Sequence, residues 1–171
     1  SHFFPASTIS AHVTRMGKRH LKLAIDVALS GAFGIDLALD KATPDERKQI
    51  AEGVRLYKER IRPLVMQGDL YRLVSPYDHP LASLSYVSSD RNDAVVYLYQ
   101  VEDGKVPQVC LEGLDADANY QVEEVSLSEG VVSHFKIHKQ VVCGAGLMKQ
   151  GIENPLDTKF ESAVLILTKV K

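Results

Sequence analysis

Gly31-Ala32-Phe33-Gly34-Ile35-Asp36-Leu37-Ala38-Leu39-Asp40 and, two residues later, Thr43-Pro44-Asp45-Glu46 carry opposite periodicities side by side. In the first stretch Phe33, Ile35, Leu37 and Leu39 alternate with small or acidic residues, which predicts a strand over 33–40. In the second, Thr43 stands at an N-cap, Pro44 at the first helical position and Glu46 three residues after the cap. That is a capping box with its proline where the missing N–H costs nothing. The predicted helix runs from Pro44 to about Met66, with Ile50, Val54, Tyr57, Ile61 and Leu64 on one face and Arg47, Lys48, Arg55, Lys58 and Glu59 on the other. Pro63 should kink or end it, and Gly68 is where the chain should leave.

Upstream, Lys18 to Ser30 reads as a helix that is apolar nearly all round, through Leu21, Leu23, Ala24, Ile25, Val27, Ala28 and Leu29. Such a helix needs neighbours on more than one side. Residues 10–67 therefore alternate helix, strand and helix, as α/β architecture does. From Ala82 the pattern becomes short strands divided by polar turns: 84–88, 94–101, 108–111, 120–125, 131–132, 135–137 and 162–168. Turns at this density predict an antiparallel sandwich or barrel. The expected organisation is two units, residues 1–78 and residues 79–171.

The bulk numbers bound the function. The chain has 171 residues, 20 basic and 22 acidic, for a net charge of −2. Neither a basic footprint for nucleic acid nor an acidic tail is present. The longest apolar runs fall far short of the roughly 20 residues that span a bilayer, so no membrane partner is expected. Ser1-His2-Phe3-Phe4-Pro5 lacks the plan of a signal peptide and an initiator Met, and reads as a chain entered in mid-domain. Cytoplasm and periplasm both suit such a composition. Cys110 and Cys143 are expected as two buried thiols rather than a disulfide.

Several short stretches, taken in order, resemble a known family. They are Phe4-Pro5 with Ser10-Ala11-His12-Val13, then Gly31-Ala32-Phe33-Gly34 before the acidic-apolar strand. The Thr43-Pro44-Asp45-Glu46 helix ending in Tyr57-Lys58 follows, and Gly68-Asp69-Leu70-Tyr71-Arg72-Leu73 with Ser75-Pro76. Next come Asp93-Ala94-Val95-Val96, Leu111-Glu112-Gly113-Leu114-Asp115 with Tyr120, and Cys143-Gly144-Ala145-Gly146-Leu147-Met148 with Gly151. Across most of its length the chain is similar to the C-terminal end of glycoside hydrolase family 36 enzymes of the bacterial α-galactosidase type. Cys143 stands where that pattern has a serine, and Ala38 where a polar residue is common.

The resemblance implies an α+β chain: the terminal βα segment of a (β/α)8 barrel followed by an antiparallel β-sandwich domain. It also implies a retaining α-galactosidase, which needs a carboxylate nucleophile and a carboxylic acid roughly 5 Å apart. The family carries these in Lys-Trp-Asp-type and Ser-Asp-type motifs upstream of the Phe-Pro segment. The resemblance thus places both before Phe4-Pro5, and the chain contains no Trp. No catalytic residue is therefore expected in it, and no cofactor or metal. The partners implied are an α-galactoside oligosaccharide (met through the full-length enzyme), the rest of the barrel, and further copies in a homo-oligomer. A complete barrel takes about 250 residues, so residues 10–67 would be an incomplete arc of one. The competing reading is a stand-alone, non-catalytic carbohydrate-binding β-sandwich with a helical extension.

Candidate site residues are few. His12 follows the expected acid/base loop and is the one substrate-binding candidate. Asp36 and Asp40 lie on the predicted strand whose C-terminal end would face a barrel's active site. They could serve as substrate contacts or a catalytic pair; because the family's carboxylates lie elsewhere, Asp36 is expected instead as a partner for a barrel Arg or Lys and Asp40 as the first residue of the turn. His134 and His138 have a helical metal spacing but fall in a predicted strand, where residues four apart are about 13 Å from each other. Gly144-Ala145-Gly146 lacks the third glycine of a dinucleotide loop and suits close backbone packing or a bulge. Tyr71 and Arg72 are expected at the junction of the two units. Tyr97 and Tyr99 share a strand face, as core residues before any sugar platform. No nucleophile elbow and no CxxC occurs.

Overall fold

The computed structural model describes residues 6–14, 19–126 and 130–170. Phe4-Pro5 and the predicted start of the first helix at Lys18 lie outside them. The first strand, β1 (Ser10–Thr14), leads through α1 (Leu21–Ala28) to β2 (Ala32–Asp36). β1 and β2 pair in parallel, Ser10 opposite Ala32 and Thr14 opposite Asp36, so the three elements form a βαβ unit. The predicted strand over 33–40 stops at Asp36; Leu39–Lys41 form a single 3-10 turn that carries Asp40. Lengthening β2 would gain little, because Leu39 remains exposed where it is.

The capping box forms as read. The Glu46 N–H donates to Thr43 Oγ1 at 3.2 Å, and the Thr43 N–H donates to Glu46 Oε2 at 2.9 Å. From that cap the chain stays helical to Gln67, as α2 (Pro44–Leu56), a π turn (Tyr57–Ile61) and α3 (Arg62–Gln67). Pro63 neither ends nor breaks it. The Arg62 N–H reaches back five residues to the Tyr57 carbonyl, and this widened turn sits where the proline ring would crowd the preceding coil.

Six strands make the main sheet, in the order β3-β4-β5-β10-β7-β8, every pair antiparallel. They are β3 (Asp69–Val74), β4 (Leu81–Val87), β5 (Asp93–Gln100), β7 (Asn119–Glu124), β8 (Val141–Cys143) and β10 (Ser162–Val170). β3 lies on the N-terminal side of the expected division at 78/79, yet it pairs with β4 from Asp69 onward. A two-stranded ribbon, β6 (Gln108–Val109) with β9 (Ile152–Glu153), and a short helix α4 (Gly144–Lys149) complete the second layer. The segments 131–132 and 135–137, predicted as strands, form none; Val131 and Val132 are exposed and 136–139 is a turn.

Side chains alternate across the sheet, so each face has its own core. Ala94, Val96, Leu98, Ala163, Leu165 and Leu167 meet Val109, Leu111, Leu114, Phe135, Leu147 and Ile152 of the ribbon and loop layer. On the opposite face Val95, Tyr97, Tyr99, Val164 and Ile166 meet Leu23, Ile25, Leu29, Ile50, Tyr57 and Ile61 of the helices. The central strands β5 and β10 are covered on both faces, which is why they read as continuous apolar runs.

α1 thus has the neighbours its all-round apolar surface demanded, with the β1–β2 pair on one side and the main sheet on the other. Its last turn is fixed by three tyrosine hydroxyls. Tyr99 donates to the Asp26 carbonyl at 3.0 Å, Tyr97 to Leu29 at 2.8 Å and Tyr86 to Ser30 at 2.9 Å. Carbonyls at a helix C-terminus lack intrahelical donors, and these phenols supply them. Burial holds the Tyr97 and Tyr99 hydroxyls well above their ordinary pKa, so they stay protonated donors.

A second tie is ionic. Lys22 Nζ donates to Asp26 Oδ2 at 2.6 Å, to Ser126 Oγ at 3.2 Å and to the Ser162 carbonyl at 2.6 Å, while Ser162 Oγ donates to Asp26 Oδ2 at 2.7 Å. Burial raises the Asp26 carboxyl above the ordinary carboxylate value, and the Lys22 ammonium draws it part of the way back.

Candidate functional site

The two faces of the β1–β2 pair differ sharply. Val13 is fully buried and Phe33 packs with the helical core, so these two positions face the helices, while Ile35 at the end of β2 is exposed. By alternation Ser10, His12 and Thr14 share the other face with Ala32, Gly34 and Asp36. Ser10, His12 and Asp36 are exposed there, and no described element packs on them.

His12 stands in the middle of this face. Its imidazole lies against Gly34, where an added Cβ would come within 2.3 Å of His12 Cδ2. A side chain at position 34 would displace the ring from this position. His12 Nε2 and Ser10 Oγ are 2.9 Å apart, which fixes the ring's orientation. A serine bonded to a histidine invites comparison with a nucleophile and its base. No described carboxylate bonds to the imidazole to orient it, so the pair is equipped to bind rather than to attack.

Two residues further along both strands, at their C-terminal ends, Thr14 and Asp36 open onto a groove of about 810 Å³. Leu37, Ala38, Lys41, Thr43 and Glu46 complete its lining. Thr43 and Glu46 are engaged in the capping box, whereas Asp36 has no hydrogen-bond or ionic partner among the described residues. Asp40 is exposed in the 3-10 turn and does not line the groove, so the two aspartates do not form a facing pair there. Thr14 and Lys41 were not singled out from sequence; Thr14 stands beside Asp36 through the parallel register of β1 and β2, which the sequence reading did not foresee.

The remaining candidates resolve as structure. Tyr97 and Tyr99 are core residues that clamp α1. The Tyr71 ring packs over Gly113, which has φ +78° and no room for a Cβ. Gly144 begins α4 with its Cα pressed against the Asp115 carbonyl. His138 Nδ1 accepts the Glu124 N–H at 3.0 Å, and His138 lies in a turn rather than a strand. Both cysteines are free, and both are exposed rather than buried. Cys143 Sγ serves as the N-cap of α4, accepting from the Gly146 N–H at 3.3 Å. Among the described residues no group of three or more His, Cys, Asp or Glu side chains could hold a metal ion. No helix among them is long and apolar enough to cross a membrane.

Residues 81–167, which make up most of the main sheet and its loop layer, match the family model of the glycosyl hydrolase family 36 C-terminal domain. The chain belongs to family 36. Among family 36 relatives, a probable α-galactosidase G of Aspergillus terreus is 29% identical over 97% of the chain and 22% of its own length. The α-galactosidase AgaA of Geobacillus stearothermophilus is 32% identical over 74% of the chain and 18% of its own length. The crystal structure of an AgaA variant in complex with raffinose superposes with a TM-score of 0.83, at 30% identity, over 97% of this chain and 22% of that one. This family 36 chain therefore spans about a fifth of the length of the relatives it matches.

Proposed function

We propose that the chain is the C-terminal part of a longer retaining α-galactosidase, which removes terminal α-linked galactose from oligosaccharides. The lopsided βαβ unit carries this reading. Parallel pairs in α/β proteins are covered on both faces, and β1–β2 is covered on one. The open face is the one lined by small and polar groups, as the inside of a barrel mouth near its substrate would be. The chain up to Gly68 then supplies the last βα segment of a (β/α)8 barrel. From Asp69 the chain forms a β-domain that buttresses the barrel, and further copies assemble with it as a homo-oligomer. We put the handover near Gly68 rather than at 78/79; the pairing of β3 with β4 supports that choice.

In this reading the nucleophile and the acid/base stand on preceding strands, and the chain alone hydrolyses nothing. His12, held between Ser10 and Gly34, faces the barrel interior one pleat below the C-terminal rim, as a substrate-side contact. The named relatives are α-galactosidases, and a structural relative was crystallised with raffinose, which supports an oligosaccharide substrate.

Calorimetric titration of raffinose into the 171-residue chain separates this from a carbohydrate-binding module. We expect no saturable heat, because one side of the sugar site is missing. Saturable binding by the chain alone would favour the module. Of the aromatic side chains on the sheet and its loops, Tyr77, 97% exposed, would be that module's most accessible platform.

A further inference from the structure

Resting on the α-galactosidase reading above, we infer that the groove at the C-terminal ends of β1 and β2, centred on Asp36 and Thr14, is a subsite for the sugar unit that leaves. It would read the hydroxyls of the oligosaccharide beyond the galactose.

Position is the first argument. In parallel β/α folds ligands lie beyond the carboxyl ends of the strands, and Thr14 and Asp36 are the last residues of β1 and β2. His12 stands a pleat deeper, so a ligand entering from the rim meets Asp36 and Thr14 first. The second argument is availability. Of the two carboxylates on the groove, Glu46 is held by the cap of α2, while Asp36 is exposed and has no partner among the described residues. An aspartate with free lone pairs accepts from two neighbouring sugar hydroxyls, and the Thr14 hydroxyl can donate or accept beside it.

Chemistry of the lining narrows the ligand. Asp36 and Glu46 face Lys41, so the groove is mixed in sign and suits a neutral polyol better than an anion or a cation. Leu37 and Ala38 supply a small apolar patch for a sugar's C–H face. An aryl leaving group carries no ring of hydroxyls for Asp36 and Thr14 to read. Recognition by hydrogen bonds alone favours a saccharide over an aryl group.

The test uses the longer polypeptide that contains this chain, with Asp36→Asn, Asp36→Ala and Thr14→Val, assayed on raffinose and on p-nitrophenyl α-galactoside. Removing a charged acceptor should lower the ratio of kcat/KM for raffinose to that for the aryl galactoside by about tenfold in Asp36→Ala. Asp36→Asn, which keeps one acceptor, should lower it less, and the loss should reside in KM. A melting temperature within a few degrees of the unsubstituted protein guards against misfolding. Turnover by the parent with an unchanged ratio in all three variants overturns the subsite alone. A parent that cleaves neither substrate overturns the α-galactosidase reading and the subsite with it.

Discussion

At the scale of single residues, the telling group is Asp26. Its side chain is 1% exposed, on the first helix, and bonds to both Lys22 and Ser162. The fold raises its pKa, with burial the leading cause and the Lys22 ammonium opposing. A carboxyl whose folded value lies above its unfolded value binds its proton more tightly when folded. Its contribution to stability is therefore full below an ordinary carboxylate pKa of about 4, and is lost as pH rises through the folded value. Asp26→Asn keeps an oxygen for Lys22 and Ser162 but cannot titrate. Relative to the parent, this variant should become progressively more stable between about pH 4.5 and pH 7. Urea denaturation at both pH values measures the difference, and an offset that does not change with pH would contradict it. Sequence showed that Tyr97 and Tyr99 share a face. It could not show what their hydroxyls reach, because the acceptors on α1 lie some seventy residues away in the chain. A longer separation, 136 residues, hid the Asp26–Ser162 bond.

At the scale of elements, local signals were read well where one short stretch decides the outcome. The cap at Thr43 needs only Thr43 and Glu46, and it forms as its spacing says. Strands β5 and β10 announce themselves by apolar runs, since both faces are buried. Period-two reasoning overran β2, because Leu37 and Leu39 continue the alternation while the chain has already turned. It also made strands of Val131-Val132 and Phe135-Lys136-Ile137, where β-branched residues lie in a loop with no partner strand. The edge strand β3 was missed because its half-buried positions do not alternate cleanly. Glycine readings fared better. Gly144 was expected to mark close packing, and a Cβ there would stand 2.0 Å from the Asp115 carbonyl oxygen. Backbone on both sides leaves little to yield, so Gly144→Ala should cost about 3 kcal/mol and loosen α4 from the 113–118 turn. Chemical denaturation checks the cost; a loss under about 0.5 kcal/mol, the scatter of ordinary surface substitutions, would refute the contact.

At the scale of the molecule, the helical segment and the sheet share one buried core, with α1 gripped by tyrosines from the sheet and by the Lys22–Asp26–Ser162 tie. On the proposed reading, that grip is what would let the β-domain hold the end of a barrel in place. What the sheet leaves bare is the far face of β1–β2. The helix, strand and capped helix from α1 to α2 were legible; β1, with Val13 as its one buried apolar residue, was not read as a strand, and so neither was the open face. The groove joins Thr14 to a single stretch, Asp36 to Glu46, through the parallel register of β1 and β2, which no local pattern announces. The central claim is that this chain shapes and braces a site whose reacting carboxylates are carried by preceding strands. Hydrolysis of p-nitrophenyl α-galactoside by the pure 171-residue chain, run beside the longer polypeptide that contains it, tests this most directly. The account predicts turnover by the longer polypeptide and none above the uncatalysed rate by the chain alone; steady turnover by the chain alone would contradict it.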